Sequence, residues 1–122
     1  MEKPKTLNLH KSFYWQDAIK TTVWVLADDA ELENNYSALT QRRDDGNIEI
    51  FFRQSADTLV LIHESLHAIS FLCESIGEEQ LTLKDAFTHE ITTYEMSNYM
   101  HRIMRAFFDL TEKIPMKEVC NG

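Results

Sequence analysis

The sequence predicts an α+β fold in a single domain over residues 1–122: a small antiparallel sheet, with a hairpin over residues 37–53, packed against two long helices. Three observations carry this reading. Runs rich in β-branched and aromatic residues fill the first half, an Asp-Gly pair sits between two of them, and two long segments of helical period fill the second half between capping residues.

Taken in order, residues 13–26, "FYWQDAIKTTVWVL", begin with aromatics that suit the start of a short helix and finish in "TTVWVL", a strand composition. The polar stretch "ADDAELENNY" has no sustained period and reads as a loop or a short helical excursion. Asp45-Gly46 then separates two extended runs, and Gly46 readily takes the positive φ of a tight hairpin turn. In "NIEIFFR" the period of two puts Ile48, Ile50 and Phe52 on one face and Glu49, Phe51 and Arg53 on the other. From Ser55 or Asp57, either of which can cap a helix, the pattern becomes helical to about Ser75, with Gly77 placed to end it. A second helix is expected from Thr82, with Asp85 three residues on, to about Lys113 before Pro115.

Composition narrows the function classes. With 43% hydrophobic and 26% charged residues the chain suits a globular fold. A formal charge of −8, with scattered Lys and Arg, argues against nucleic acid as a ligand. Cys73 and Cys120 stand far apart, which excludes a disulfide framework and a four-thiolate zinc site. The N-terminal "MEKPKTLNLHKSF" has no apolar run behind its charges, and no segment looks like a membrane span of about 20 apolar residues; a cytoplasmic protein with no membrane partner is expected.

Chemistry concentrates in residues 60–69, "VLIHESLHAI". His63 and His67 are four apart, so in a helix they share a face about 6 Å apart along the axis and can reach one ion. Zinc held by two histidines and a third protein ligand keeps a fourth position open for water, whose pKa it lowers to about 7. Glu64, beside His63, is placed to take the proton as general base.

The third ligand must come from elsewhere. Glu74 lies seven residues beyond His67, about 10 Å along the same helix and out of reach. On the second helix, stepping 100° per residue puts Leu83, Tyr94 and Phe108 within about 40° of Glu90, so Glu90 is expected to point inward, where a cation would offset its burial. Glu95 is expected on the solvent side with Lys84 and Arg102. His101 shares the direction of Glu90 but lies about 16 Å along the axis and is expected in the core. His89 also falls on the inner side, so Glu90 and His89 both remain open.

The stretch "VLIHESLHAI" resembles the active-site helix of HExxH zincin metallopeptidases. The order hairpin, HExxH helix, second helix with an early glutamate is similar to minimal gluzincin-like domains, most of all the short metallopeptidases carried by phages and prophages. The resemblance spans residues 37–108 and is sharp at residues 60–69. It implies zinc as cofactor, a protein or peptide substrate, His63 and His67 as ligands, Glu64 as catalytic base and, among the open choices, Glu90 as third ligand. Cys73 stands where metzincins place a third histidine, but Ser70 replaces the glycine that turns their chain. Twenty-two residues separate His67 from Glu90, more than in thermolysin-like enzymes, and "HEITTY" lacks the companion aspartate of many gluzincins. Tyr94 is the positional candidate for an oxyanion donor, and the strand at residues 47–53 for pairing with an extended substrate. The alternative reading is a non-catalytic acidic interaction protein, an inhibitor or nucleic-acid mimic whose metal site is structural, drawn from the runs "DDAELE", "RRDD" and "ESIGEE".

Overall fold

Residues 9–30, 32, 36–77 and 82–112 are described by a computed structural model of the chain. Strands β1 (Leu9–Trp15) and β2 (Ile19–Leu26) form an antiparallel hairpin, so the short helix expected at the aromatics is a strand instead. The turn between them has no compositional signature: Gln16 and Asp17 both take left-handed backbone (φ 47 and 58), and Ala18 N–H closes it on Trp15 C=O at 2.9 Å. Phe13 and Trp15 alternate onto the inner face, where their rings meet Tyr99 edge-on at 5.8 and 6.2 Å.

Strands β3 (Ala38–Arg42) and β4 (Ile48–Arg53) form the expected hairpin around Asp45-Gly46. Gly46 has φ 90, and Asp45 Oδ1 accepts from Asn47 N–H at 2.9 Å. Ile48, Ile50 and Phe52 are wholly buried, as their alternation predicts. The sheet is mixed, however, with order β1-β2-β4-β3, because β2 pairs parallel to β4. A parallel pair needs a crossover connection. Here the chain passes from β2 to β4 by way of β3, and the Arg53 guanidinium fastens the stretch before β3 by donating to the carbonyls of Asp28, Ala30 and Tyr36. The consequence corrects one expectation: both edges of β4 are paired, so it cannot accept a substrate strand, whereas β3 is an edge strand.

On the outer sheet face, His10, Trp24, Phe51 and Leu39 stand in register across all four strands. Their rings stack at 4.5 Å (His10 to Trp24) and 5.9 Å (Trp24 to Phe51). Beside them Glu49 accepts from Trp24 Nε1, Gln41 and Arg43. Cross-strand pairs of this kind contribute roughly 0.2–1 kcal/mol each, which accounts for large rings on a face that none of the described helices covers.

The inner face carries the helices. Helix α1 (Thr58–Ile76) starts at Asp57, whose side chain accepts from Val60 N–H, and ends at Gly77 with φ 85, both as expected. By length and composition α1 is apolar enough to cross a membrane, contrary to the expectation that no segment is. Its buried stripe of Leu61, Ser65, Ala68, Ile69, Leu72 and Cys73 is part of the core. The single second helix is in fact two: α2 (Leu83–Thr88), capped by Thr82 as expected, and α3 (Glu90–Thr111). His89 breaks them apart with extended backbone (φ −87, ψ 123). No proline or glycine marks the break, but Thr88, His89, Ile91, Thr92 and Thr93 are all weak helix formers. The expected C-terminal stop at Lys113 and Pro115 lies outside the described residues.

Helix α3 docks through Met96, Tyr99, Ile103, Ala106, Phe107 and Leu110. The Tyr99 hydroxyl shares a 2.7 Å hydrogen bond with Thr21 inside the core, and burial raises its pKa well above the ordinary phenol value. Tyr99→Phe should therefore cost about 1–3 kcal/mol in urea unfolding, since it strands a Thr21 hydroxyl of 0% exposure, and Thr21→Val added to it should recover much of the loss. Because the folded state holds this proton more tightly than the unfolded state, the contribution is complete below about pH 10 and declines as pH rises through the raised folded value. Wild type should lose stability over that range faster than Tyr99→Phe.

Candidate metal centre

The phase of α1 decides what its polar residues can do. With Leu61, Ser65, Ala68 and Leu72 turned into the core, His63 and His67 are left on the exposed edge of the helix. Their ring centroids are 4.9 Å apart with planes at 77°. Glu64, one residue further round, points under β3 and is 7% exposed, whereas the His63 side chain is 65% exposed. Glu64 Oε2 lies 3.8 Å from His63 Nε2.

Burial of a carboxylate requires a hydrogen-bonding partner. Thr40, on the inner face of β3, donates to Glu64 Oε1 at 2.7 Å. The strand and helix are clamped again about three turns further along α1, where Arg42 Nε donates to Ser75 Oγ and Ser75 Oγ donates to the Gly46 carbonyl. Beside the triad a pocket of about 290 Å³ opens between the start of β3 and the first turn of α1, lined by Tyr36, Ser37, Ala38, Leu59 and Val60 together with His63 and Glu64.

Ligand atoms of His63, Glu64 and His67 all lie within 4.8 Å of one another. Two imidazoles bound to one zinc-sized ion at about 2.0–2.1 Å hold their nitrogens roughly 3.3 Å apart in tetrahedral geometry. Exposed rings can close that difference by side-chain rotation, so the three residues can hold a metal ion. In comparisons with known proteins, no family model, curated protein or solved structure matches the chain.

The remaining sequence-predicted residues are placed elsewhere. Glu90 does not join the group and is exposed as the first residue of α3. Measured along α3 alone, it falls roughly 150° from the centre of the buried stripe. The inward orientation expected for it is therefore overturned, for two reasons. The projection ran through the break at His89, and it took Tyr94 and Phe108, 72% and 44% exposed, as markers of the core. The longer stripe through Tyr99, Ile103 and Leu110 won the sheet. The same inversion explains why His101 is exposed and not in the core, and why Glu95 is half-buried. His89 is exposed between the helices, its Nδ1 3.3 Å from Thr92 Oγ1. Glu74 is exposed. Cys73 is buried, with its thiol pKa pushed up by that burial, which makes it a poor thiolate donor.

Thr40 and Tyr36 are the site residues that sequence reasoning missed. Thr40 had one signal: counting back by twos from the hairpin turn puts it on the same strand face as Ala38. That this face meets Glu64 depends on how β3 docks against α1, which no local pattern encodes.

Proposed function

We propose that the chain is a zinc-dependent metallopeptidase of the minimal gluzincin-like type, with His63 and His67 as ligands and Glu64 as general base. The observation that carries the reading is the division of labour along one helical turn: two exposed imidazoles on an edge, and between them in sequence a carboxylate held below that edge. Nitrogen and oxygen donors of this type suit zinc. A bound zinc ion supplies Lewis acidity at a carbonyl oxygen and acidifies water.

The chain's own residues supply the rest. Glu64 takes a proton from the attacking water and returns it to the leaving amine. An extended peptide pairs with the free edge of β3, which runs past the triad, so that backbone hydrogen bonds set its register. The adjoining pocket receives a side chain next to the scissile bond, and Tyr36, Ala38, Leu59 and Val60 give it apolar walls. Cleavage should thus favour an apolar residue there. Leu59→Glu should lower kcat/KM for such peptides by about ten- to two-hundredfold in a peptide-library digest while leaving zinc content unchanged.

The gluzincin resemblance, and not the geometry of α3, puts the third ligand at Glu90 or, failing that, His89, both of them exposed at the head of that helix. Zinc affinity measured for Glu90→Ala and His89→Ala separates them, and the true ligand is the one whose loss weakens binding. A digest of mixed peptides by the zinc-loaded chain tests the whole reading; absence of cleavage with zinc bound would favour the second reading. In that reading His63, Glu64 and His67 form a self-contained metal clip in an acidic interaction protein, supported by the proximity of the Glu64 carboxylate to both rings.

A further inference from the structure

We propose that Thr40 is a positioning residue for the general base, fixing which oxygen of Glu64 does the chemistry; this rests on the metallopeptidase reading. Glu64 has two equivalent oxygens and three side-chain torsions, so burial alone does not aim it. Thr40 Oγ1 lies 2.7 Å from Oε1 and 3.3 Å from the Glu64 carbonyl, and its single proton goes to the nearer carboxylate oxygen. That leaves Oε2 as the oxygen turned to the histidine edge, 3.8 Å from His63 Nε2.

Thr40 is itself rigidly held. It pairs with Ile50, a wholly buried residue of the central strand β4. As a β-branched residue in a strand it has restricted χ1 freedom. The Arg42, Ser75 and Gly46 contacts fix the same strand to the far end of α1. The base is thereby referenced to the sheet and not only to its own helix. It is also referenced to the edge strand along which the peptide is proposed to lie, so one element sets the position of both reactants. Partners of this kind, which touch a working group and not the substrate, typically cost about ten- to hundredfold in activity when removed.

The test compares Thr40→Val, which keeps the shape and removes the hydroxyl, with Thr40→Ser, which keeps the hydroxyl. With zinc loaded, Thr40→Val should lose about ten- to hundredfold in kcat with KM and zinc content held, and Thr40→Ser should recover most of it. An activity-independent readout accompanies it: ¹³C relaxation of the Glu64 methylenes in metal-free protein should report an ordered side chain in wild type and Thr40→Ser and a mobile one in Thr40→Val. If Thr40→Val fails to fold, Thr40→Ala, which admits water beside Glu64, takes its place in both measurements. Equal Glu64 order in all variants, or full kcat in Thr40→Val, would overturn the assignment. A wild type that binds zinc and cleaves nothing overturns the peptidase reading instead, and the relaxation result still decides whether Thr40 orients Glu64.

Discussion

Glu64→Gln should bind zinc as wild type does and lose peptide hydrolysis by about 10²–10⁴-fold, the usual contribution of a general base. The substitution is nearly isosteric, and the amide oxygen of glutamine can still accept the Thr40 hydrogen bond that Glu64 Oε1 accepts at 2.7 Å. What it removes is the capacity to accept a proton at the oxygen facing His63. Steady-state rates on a peptide library, read beside zinc content by atomic emission, check both halves. The zinc half also separates the two functional readings. A clip that uses the Glu64 carboxylate as its third ligand would lose affinity in Glu64→Gln, whereas a base outside the ligand set would not. Retained zinc with full activity would remove Glu64 from the chemistry.

The second large effect is on stability. An ion that binds only the folded chain stabilises it by mass action, by about 4.1 kcal/mol at a thousandfold excess over Kd. For a domain of this size that corresponds to a rise in Tm on the order of 10 °C. Adding zinc to metal-free wild type should therefore raise Tm by such an amount, and a chelator should reverse it. His63→Ala and His67→Ala should abolish the zinc response while leaving the metal-free Tm close to that of metal-free wild type. Both side chains are exposed, and neither belongs to the buried stripe of α1. Calorimetry with and without chelator makes the comparison. A His63→Ala chain that still gains stability from zinc would place the ion elsewhere.

How much of this was legible in the sequence follows the range of each interaction. The Asp45-Gly46 hairpin, the caps at Asp57, Thr82 and Gly77, and the alternation of Ile48, Ile50 and Phe52 are set by neighbours a few residues apart, and each stands where the pattern put it. The pairing of His63 with His67 is equally local, since it follows from the helical repeat. Two of the departures depend on long-range contacts. The parallel pairing of β2 with β4 joins residues 27 apart, and the crossover depends on Arg53 reaching back to Asp28, Ala30 and Tyr36. The first turn was hidden for a different reason: Gln16 takes a left-handed conformation that its side chain does not advertise. Helix α3 carries two apolar stripes, and propensity cannot choose between them. The stripe through Tyr99, Ile103 and Leu110 is the one that packs on the sheet, where Tyr99 bonds Thr21 on β2, and Glu90 is turned to solvent as a result.

The central claim, that this helical turn binds a catalytic metal ion, is tested most directly by zinc bound per chain after equilibrium dialysis of wild type, His63→Ala and His67→Ala. One zinc per wild-type chain and none retained by either variant is the predicted result. A wild type that leaves dialysis without zinc, or histidine variants that keep it, would contradict the account.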